Sequence, residues 1–225
     1  SGAAYLYAAD TGTLLQTFTG IVAGDELGTS VALSGSLALV GAPYADPNGL
    51  NDSGAAYLYD TDTGNLLQTF EGGVATDRLG SSVALSGNLA LVGAPSADPN
   101  GFASGAAYLY NTDTGQLLQT FTGGSAGDEF GNSVALSDDL ALVGAIGFGA
   151  DSNGLVSGAA YLYSTATGDL LQTFTGSTVD DLLGASVALS GNRALVGAPG
   201  ANVYGPNSGA AYLYDTDSGE LLQTL

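Results

Sequence analysis

The sequence predicts an all-β fold: a β-propeller of four-stranded antiparallel blades, four of them complete and a fifth represented by an N-terminal two-strand hairpin. Three observations carry this. The heptapeptide SGAAYLY recurs unchanged at Ser1, Ser53, Ser104, Ser157 and Ser208, which sets a period of 52, 51, 53 and 51 residues; such spacings mark repeat arrays. Every apolar segment is short and bounded by Gly, Asp or Asn, with no helical period anywhere. Both faces of the segments are largely apolar, as expected of a sheet covered on each side by its neighbours.

The second copy gives the order of elements. Ser53 to Tyr59 reads as a strand with Ala55, Tyr57 and Tyr59 on one face and Ala56 and Leu58 on the other. The stretch Asp60 to Asn65 (DTDTGN) is a turn, because Asp and Gly supply local hydrogen bonds and positive φ. Leu66 to Phe70 (LLQTF) returns as the partner strand, and EGGVATDRLG is a loop. Ser82 to Ser86 (SVALS) forms a third strand, Gly87-Asn88 a tight hairpin turn, and Leu89 to Ala94 (LALVGA) a fourth. A loop, PSADPNGFA, leads to the next copy. With the strands of a blade named A (SVALS), B (LALVGA), C (SGAAYLY) and D (LLQTF), the chain divides as one repeat domain, 1–225. It comprises an outer C–D hairpin at 1–20 and blades at 21–71, 72–122, 123–175 and 176–225.

The counts of the two hairpins differ. SGAAYLY occurs five times but VALS followed by ALVGA only four, from Val31, Val83, Val134 and Val187. The hairpin at 1–20 therefore has no inner A–B pair, and exchange of strands between the two ends, or within a dimer, leaves the numbers unequal. Together with a first residue that is Ser rather than Met, this predicts a processed chain or a segment of a larger ring, or an assembly through the open edge, including a filament.

Composition excludes several function classes. The chain carries 22 acidic residues against two basic ones, Arg78 and Arg193, for a net charge of −20, and has no His, Cys or Met. Such a surface repels nucleic-acid phosphates and anionic lipid heads and favours cations. Without Cys there are no disulfides or thiolate metal sites. No apolar run reaches the ~18 residues of a membrane helix. With no His, Cys or Lys, and acids that recur in near-equivalent positions, neither a nucleophile–base pair nor a differentiated carboxylate pair is available, so no catalytic residues are expected. Low Lys with abundant Gly, Ser and Thr predicts an extracellular or cell-surface location.

The residues also resemble a known family. DEFGNSVALS at Asp128 to Ser137, followed by VGA, is similar to the FG-GAP repeat of integrin α-subunit propellers and many bacterial secreted proteins. Phe130-Gly131 corresponds to the first half of that motif, and Gly41-Ala42-Pro43, Gly93-Ala94-Pro95 and Gly197-Ala198-Pro199 to the second. Leu27, Leu79 and Leu183 replace the Phe, and Ile146 replaces one Pro. The resemblance spans the chain and implies a propeller used in adhesion or protein interaction. Integrin-type repeats hold calcium in an Asp-rich loop between strands A and B. Here those connections are only Ser34-Gly35-Ser36, Ser86-Gly87-Asn88, Ser137-Asp138-Asp139 and Ser190-Gly191-Asn192, too short to wrap an ion that takes six to eight oxygens. The chain resembles the short-hairpin bacterial branch instead.

Alternating strand direction places the B–C and D–A loops on one face and the A–B and C–D turns on the other. The first face gathers Asp25, Glu26, Asp77, Asp128 and Asp181 from D–A loops with Asp46, Asp52, Asp98 and Asp151 from B–C loops. The second carries D-x-D-x-G turns, with Asp60 and Asp62 in one blade and Asp215 and Asp217 in another. Two readings stand for these acids: oxygen ligands for calcium, or side chains that cap and tighten turns. Tyr44, Phe102 and Tyr204 in the variable B–C loops offer aromatic faces for a glycan or cover the blade ends. The expected function is a non-enzymatic interaction scaffold, self-associating and stabilised by calcium, with a carbohydrate-binding propeller as the alternative.

Overall fold

The structure is a computed structural model that describes residues 1–20, 22–149, 156–203 and 205–225. Blade 1 comprises β3 (Val31–Ser34), β4 (Leu37–Ala42), β5 (Ala55–Asp60) and β6 (Leu66–Glu71); blade 2 comprises β7 (Ser82–Ser86), β8 (Leu89–Ala94), β9 (Ala106–Asn111) and β10 (Leu117–Thr122). Blade 3 comprises β11 (Phe130–Ser137), β12 (Leu140–Ala145), β13 (Ala159–Ser164) and β14 (Leu170–Thr175). Blade 4 comprises β15 (Ser186–Ser190), β16 (Arg193–Ala198), β17 (Ala210–Asp215) and β18 (Leu221–Thr224). Each blade is one four-stranded antiparallel sheet with strands in sequence order. β1 (Ala3–Tyr7) and β2 (Leu14–Thr19) pair only with each other, as a half-blade. Apart from a single 3-10 turn at Pro47–Gly49, the described residues contain no helix.

The expected elements and the all-β class are observed with small shifts. The SGAAYLY strands begin two residues later than the motif, because the preceding glycine leaves the ladder to form a bridge with the next D–A loop, as in Gly54 with Leu79. The A–B connections are two-residue turns. Gly35, Gly87 and Gly191 take positive φ at the first position, and Asp138 takes it at 48° in blade 3, a conformation that carries a steric cost for a residue with a Cβ.

Side-chain alternation builds the interfaces between blades. Val83 and Leu85 of β7 point back to Leu39, Ala56 and Leu58 of blade 1, while Ala84 points forward to Val134 and Leu136 of blade 3. Ala135 in turn meets Val187 and Leu189 of blade 4. Large residues on one face thus fill the space left by alanines on the next, which is how close packing is reached with few residue types. A ring pair repeats at every junction. Phe18 stacks on Tyr59, Phe70 on Tyr110 and Phe174 on Tyr214, and Phe121 packs tilted against Tyr163, with centroids 4.2–4.5 Å apart. The half-blade therefore occupies a true blade position, docked on blade 1 through Ala4 and Phe18.

A hydroxyl stitches the inner strands. Ser30, Ser82 and Ser133 each donate to the carbonyl of a glycine in the following blade, Gly80, Gly131 and Gly184, at 2.7 Å. Beside it the backbones touch: a Cβ on Gly41, Gly93 or Gly144 would lie 2.0–2.1 Å from those same carbonyl oxygens, so only glycine fits.

Candidate functional site

The face-sorting expected from strand alternation is seen in the backbone. C–D turns donate to A–B turns, from Thr61 N–H to Ser36, Thr112 to Asn88, Thr165 to Asp139 and Thr216 to Asn192. On the opposite face D–A loops donate to the preceding B–C loops, from Arg78 N–H to Asp52, Gly127 to Phe102 and Glu129 to Ala103. Glu26 and Asp52 both sit at positive φ within these loops.

Four acids of the loop face, Asp46, Asp98, Asp128 and Asp181, are occupied locally. Asp46 accepts the Asp52 N–H at 2.7 Å, and Asp98 accepts the Ala103 N–H at 2.5 Å. Asp128 accepts from Gly124 and Ser125, each at 2.9 Å. Asp181 accepts the N–H groups of Ser177 and Thr178 and both their hydroxyls. Burial pushes the Asp181 carboxyl up, but those donors outweigh it and hold the group below the usual carboxylate range. Asp25 and Asp77, each 8% exposed against 1% for Asp181, accept no hydrogen bond among the described residues. Asp77 is pushed up to about 6, first by burial and then by the charge of Asp98; Asp25 is raised by burial and by Asp46. Two pairs of loop-face acids, Asp25/Asp46 and Asp77/Asp98, thus repel one another, and among the described residues no three acids converge closely enough to hold a metal ion.

The turn-face acids act within their own turns. Asp60 accepts the Thr63 hydroxyl at 2.6 Å and its N–H at 2.7 Å, which lowers its pKa. Asp215 does the same with Ser218 and also pairs with Arg193 at 2.7 Å. Asp62 contributes its carbonyl to the Gln16 side chain, and Asp217 donates its N–H to Asp215. Of the aromatic candidates, Tyr44 lies under the Arg78 guanidinium, 5.1 Å from ring centre to Cζ. Phe102 stands out at 82% exposure. Asp151 and Tyr204 lie outside the described residues.

Features that sequence reasoning missed concern the two ends of the row. At the first end Val31 and Leu33 are 61% and 60% exposed, whereas Val83 and Leu85 are each 9% exposed. They line a groove of about 310 Å³ between β3, β4 and the half-blade, floored by Ala3, Leu6 and Leu39. At the other end Ala188 is exposed, and Leu195, Ala211 and Leu213 are half-buried where the interior blades bury their counterparts completely. The two ends do not cover one another, so the row is open. The unequal number of A–B and C–D hairpins was the available signal; which residues it left uncovered was not readable without the interlocking of faces.

A row of four-stranded antiparallel blades joined by recurring interblade contacts defines a repeat protein of the β-propeller class. The family model described as FG-GAP repeat matches residues 20–59, 69–110, 120–163 and 176–214, and the chain belongs to the FG-GAP repeat family. A search of curated proteins finds no match to it. Among the described residues no helix is long and apolar enough to cross a membrane.

Proposed function

We propose that the chain is a non-enzymatic, extracellular protein-interaction scaffold that extends or self-associates by adding blades at its open ends. FG-GAP repeats suggest a propeller interaction module and are typical of extracellular proteins. The observation that carries the reading is the pair of uncovered interblade faces: Val31 and Leu33 at one end and Ala188 with Leu213 at the other are counterparts of the faces that meet inside the row, where Val83 and Leu85 are buried and Val134, Leu136, Val187 and Leu189 are half-buried. Exposed contiguous apolar surface of this kind marks an interaction site. Sedimentation velocity across a concentration series is expected to show growth in mass, suppressed by Leu33→Asp; a single monomeric species at every concentration would contradict the proposal.

Calcium enters as a counter-ion for the facing pairs Asp25/Asp46 and Asp77/Asp98. At matched ionic strength, calcium is expected to raise Tm more than sodium does, and Asp77→Asn to remove most of the excess. A second reading, glycan binding, is favoured by Phe102, whose bare ring suits the C–H face of a sugar. Loss of glycan-array signal in Phe102→Ala supports it, and an unchanged array excludes it.

A further inference from the structure

We propose that the recesses at Asp77 and Asp25, one at each of the first two junctions, bind a primary ammonium group carried on a short hydrocarbon chain. The sites lie on the loop face between neighbouring blades and are independent of the ends of the row.

The recess between blades 1 and 2 measures about 170 Å³ and is lined by Asp77 with Val74, Leu79, Tyr108, Tyr110 and Leu117. The junction before it repeats the arrangement in about 190 Å³, with Asp25, Leu27, Tyr57, Tyr59 and Leu66 at the matching positions. A neighbouring recess of about 310 Å³ shares Asp25 and Tyr57 and adds Asp46 and Glu71. Each site thus sets one carboxylate among tyrosine rings and aliphatic side chains. Asp25 and Asp77 are each only 8% exposed, yet neither accepts a hydrogen bond among the described residues. A buried carboxylate without donors is costly, and the charges of Asp46 and Asp98 add to that cost.

The other two junctions show that this state is not inherent in the position. Asp128 takes the N–H groups of Gly124 and Ser125, and Asp181 takes those of Ser177 and Thr178 with the Thr178 hydroxyl. Three places before the acid stand Ser125 and Thr178 in those loops, but Val22 and Val74 in the other two. Valine offers no hydroxyl, and Val74 adds to the apolar wall instead. At blade 3 aromatic rings crowd the same place. Phe130 stands where Leu79 stands, 5.5 Å from the Tyr161 ring, and Phe148 meets that ring edge-on at 6.0 Å. Two junctions therefore satisfy their own acid, and two leave it to an outside donor.

The walls select that donor. Calcium takes six to eight oxygens, whereas most of this lining is hydrocarbon. An alkylammonium is a compact charge with three donors on an aliphatic stem. Its head suits the carboxylate and its stem suits Leu117 and the Tyr108 ring; Tyr110 has already given one face to Phe70. The chain's own side chains do not supply the group. It has no Lys, Arg78 lies over Tyr44, and Arg193 pairs with Asp215. A net charge of −20 draws such a cation from solution.

The test is titration of the isotope-labelled chain with n-butylammonium chloride at constant ionic strength, followed by amide NMR shifts. Saturable shifts are expected at Val74, Asp77 and Tyr108 and at Asp25 and Tyr57, with Kd of about 1–10 mM. The neutral isostere 1-butanol should bind about tenfold or more weaker, as should butylammonium to the Asp25→Asn/Asp77→Asn variant, the loss of a charge-assisted hydrogen bond. The Asp62→Asn/Asp217→Asn variant, which removes as much charge from the turn face, should bind as the parent does. Absence of saturable shifts, equal binding of 1-butanol, or equal loss in the two variants overturns the proposal. Nα-Acetyl-lysine amide distinguishes the source: binding as tight as butylammonium assigns the sites to lysine side chains of a partner, and weaker binding assigns them to a free amine. Calcium that raises Tm while butylammonium fails to bind overturns this proposal and leaves the counter-ion reading standing.

Discussion

The half-blade and blade 2 carry the same AAYLY strand and live in different surroundings. In blade 2, Ala106 and Leu109 are fully buried; in the half-blade, Ala3 and Leu6 are only half-buried, and Tyr5 and Tyr7 are 59% and 54% exposed. The docking contact is nevertheless the same, with Phe18 on Tyr59 repeating Phe70 on Tyr110. Local sequence thus decides the strand, its pairing partner and which face holds which residue. Burial is decided by the neighbouring blade, as expected where stability is a sum of unit and nearest-neighbour contributions.

The largest expected break of this comparison is in leucine truncation. Leu85→Ala, at 9% exposure inside a junction, is expected to cost about 2–4 kcal/mol, while Leu33→Ala, the same motif position at 60% exposure, should cost under about 0.5 kcal/mol. Paired denaturant melts measure both, and equal losses would mean that the first end is covered in solution. Next in size is the close approach of backbones. Gly93→Ala sets a methyl against the Gly131 carbonyl and should cost about 2–3 kcal/mol. Gly197→Ala in blade 4 meets the Ser186 side chain and no facing blade, and should cost about 1 kcal/mol.

A smaller contrast separates Asp77 from Asp181, one with its pKa raised and one with it lowered. An unfolded Asp ionises near ~3.9, whereas folded Asp77 does so at about 6, so between those values the folded chain holds the extra proton. Its contribution is therefore fully present below pH ~4 and is lost as pH rises through about 6. Since water still reaches this face, the swing should be about 1 kcal/mol rather than the ~3 kcal/mol of the full displacement. Subtracting the Asp77→Asn pH–stability curve from that of the parent isolates it; a flat difference would remove the raised pKa. The smallest effect is Asp138→Gly, which relieves the only non-glycine among the described A–B turns at positive φ and should stabilise by about 0.5–1 kcal/mol.

Much of this architecture was legible beforehand because two periods coincide. Alternation within SVALS and AAYLY separates Val83 and Leu85 from Ala84, and Tyr57 and Tyr59 from Leu58; the ~50-residue repeat then fixes four such strands per blade. Loop sorting followed from strand direction alone. The less legible facts join residues from different blades or occur once. Ser82 reads as a strand-end polar residue until the Gly131 carbonyl is seen 2.7 Å away. Arg193 lies directly opposite Asp215 in the ladder, but the other blades have Leu at the first of those positions, so repetition gave no hint of the pair. Asp128 and Asp181 looked alike as candidate ligands or turn caps; the N–H groups they gather are set by loop geometry that composition does not reveal.

The ring pair recurs at all four junctions and the serine-to-glycine stitch at the three between complete blades, each time with equivalent partners, so the joints between complete blades are interchangeable. Tandem tracts this similar misalign readily when genetic material is copied, and a product longer or shorter by one unit would still find every joint intact. Selection on folding is then nearly blind to copy number, and the length of the row is free to drift between lineages without any amino acid changing its chemistry.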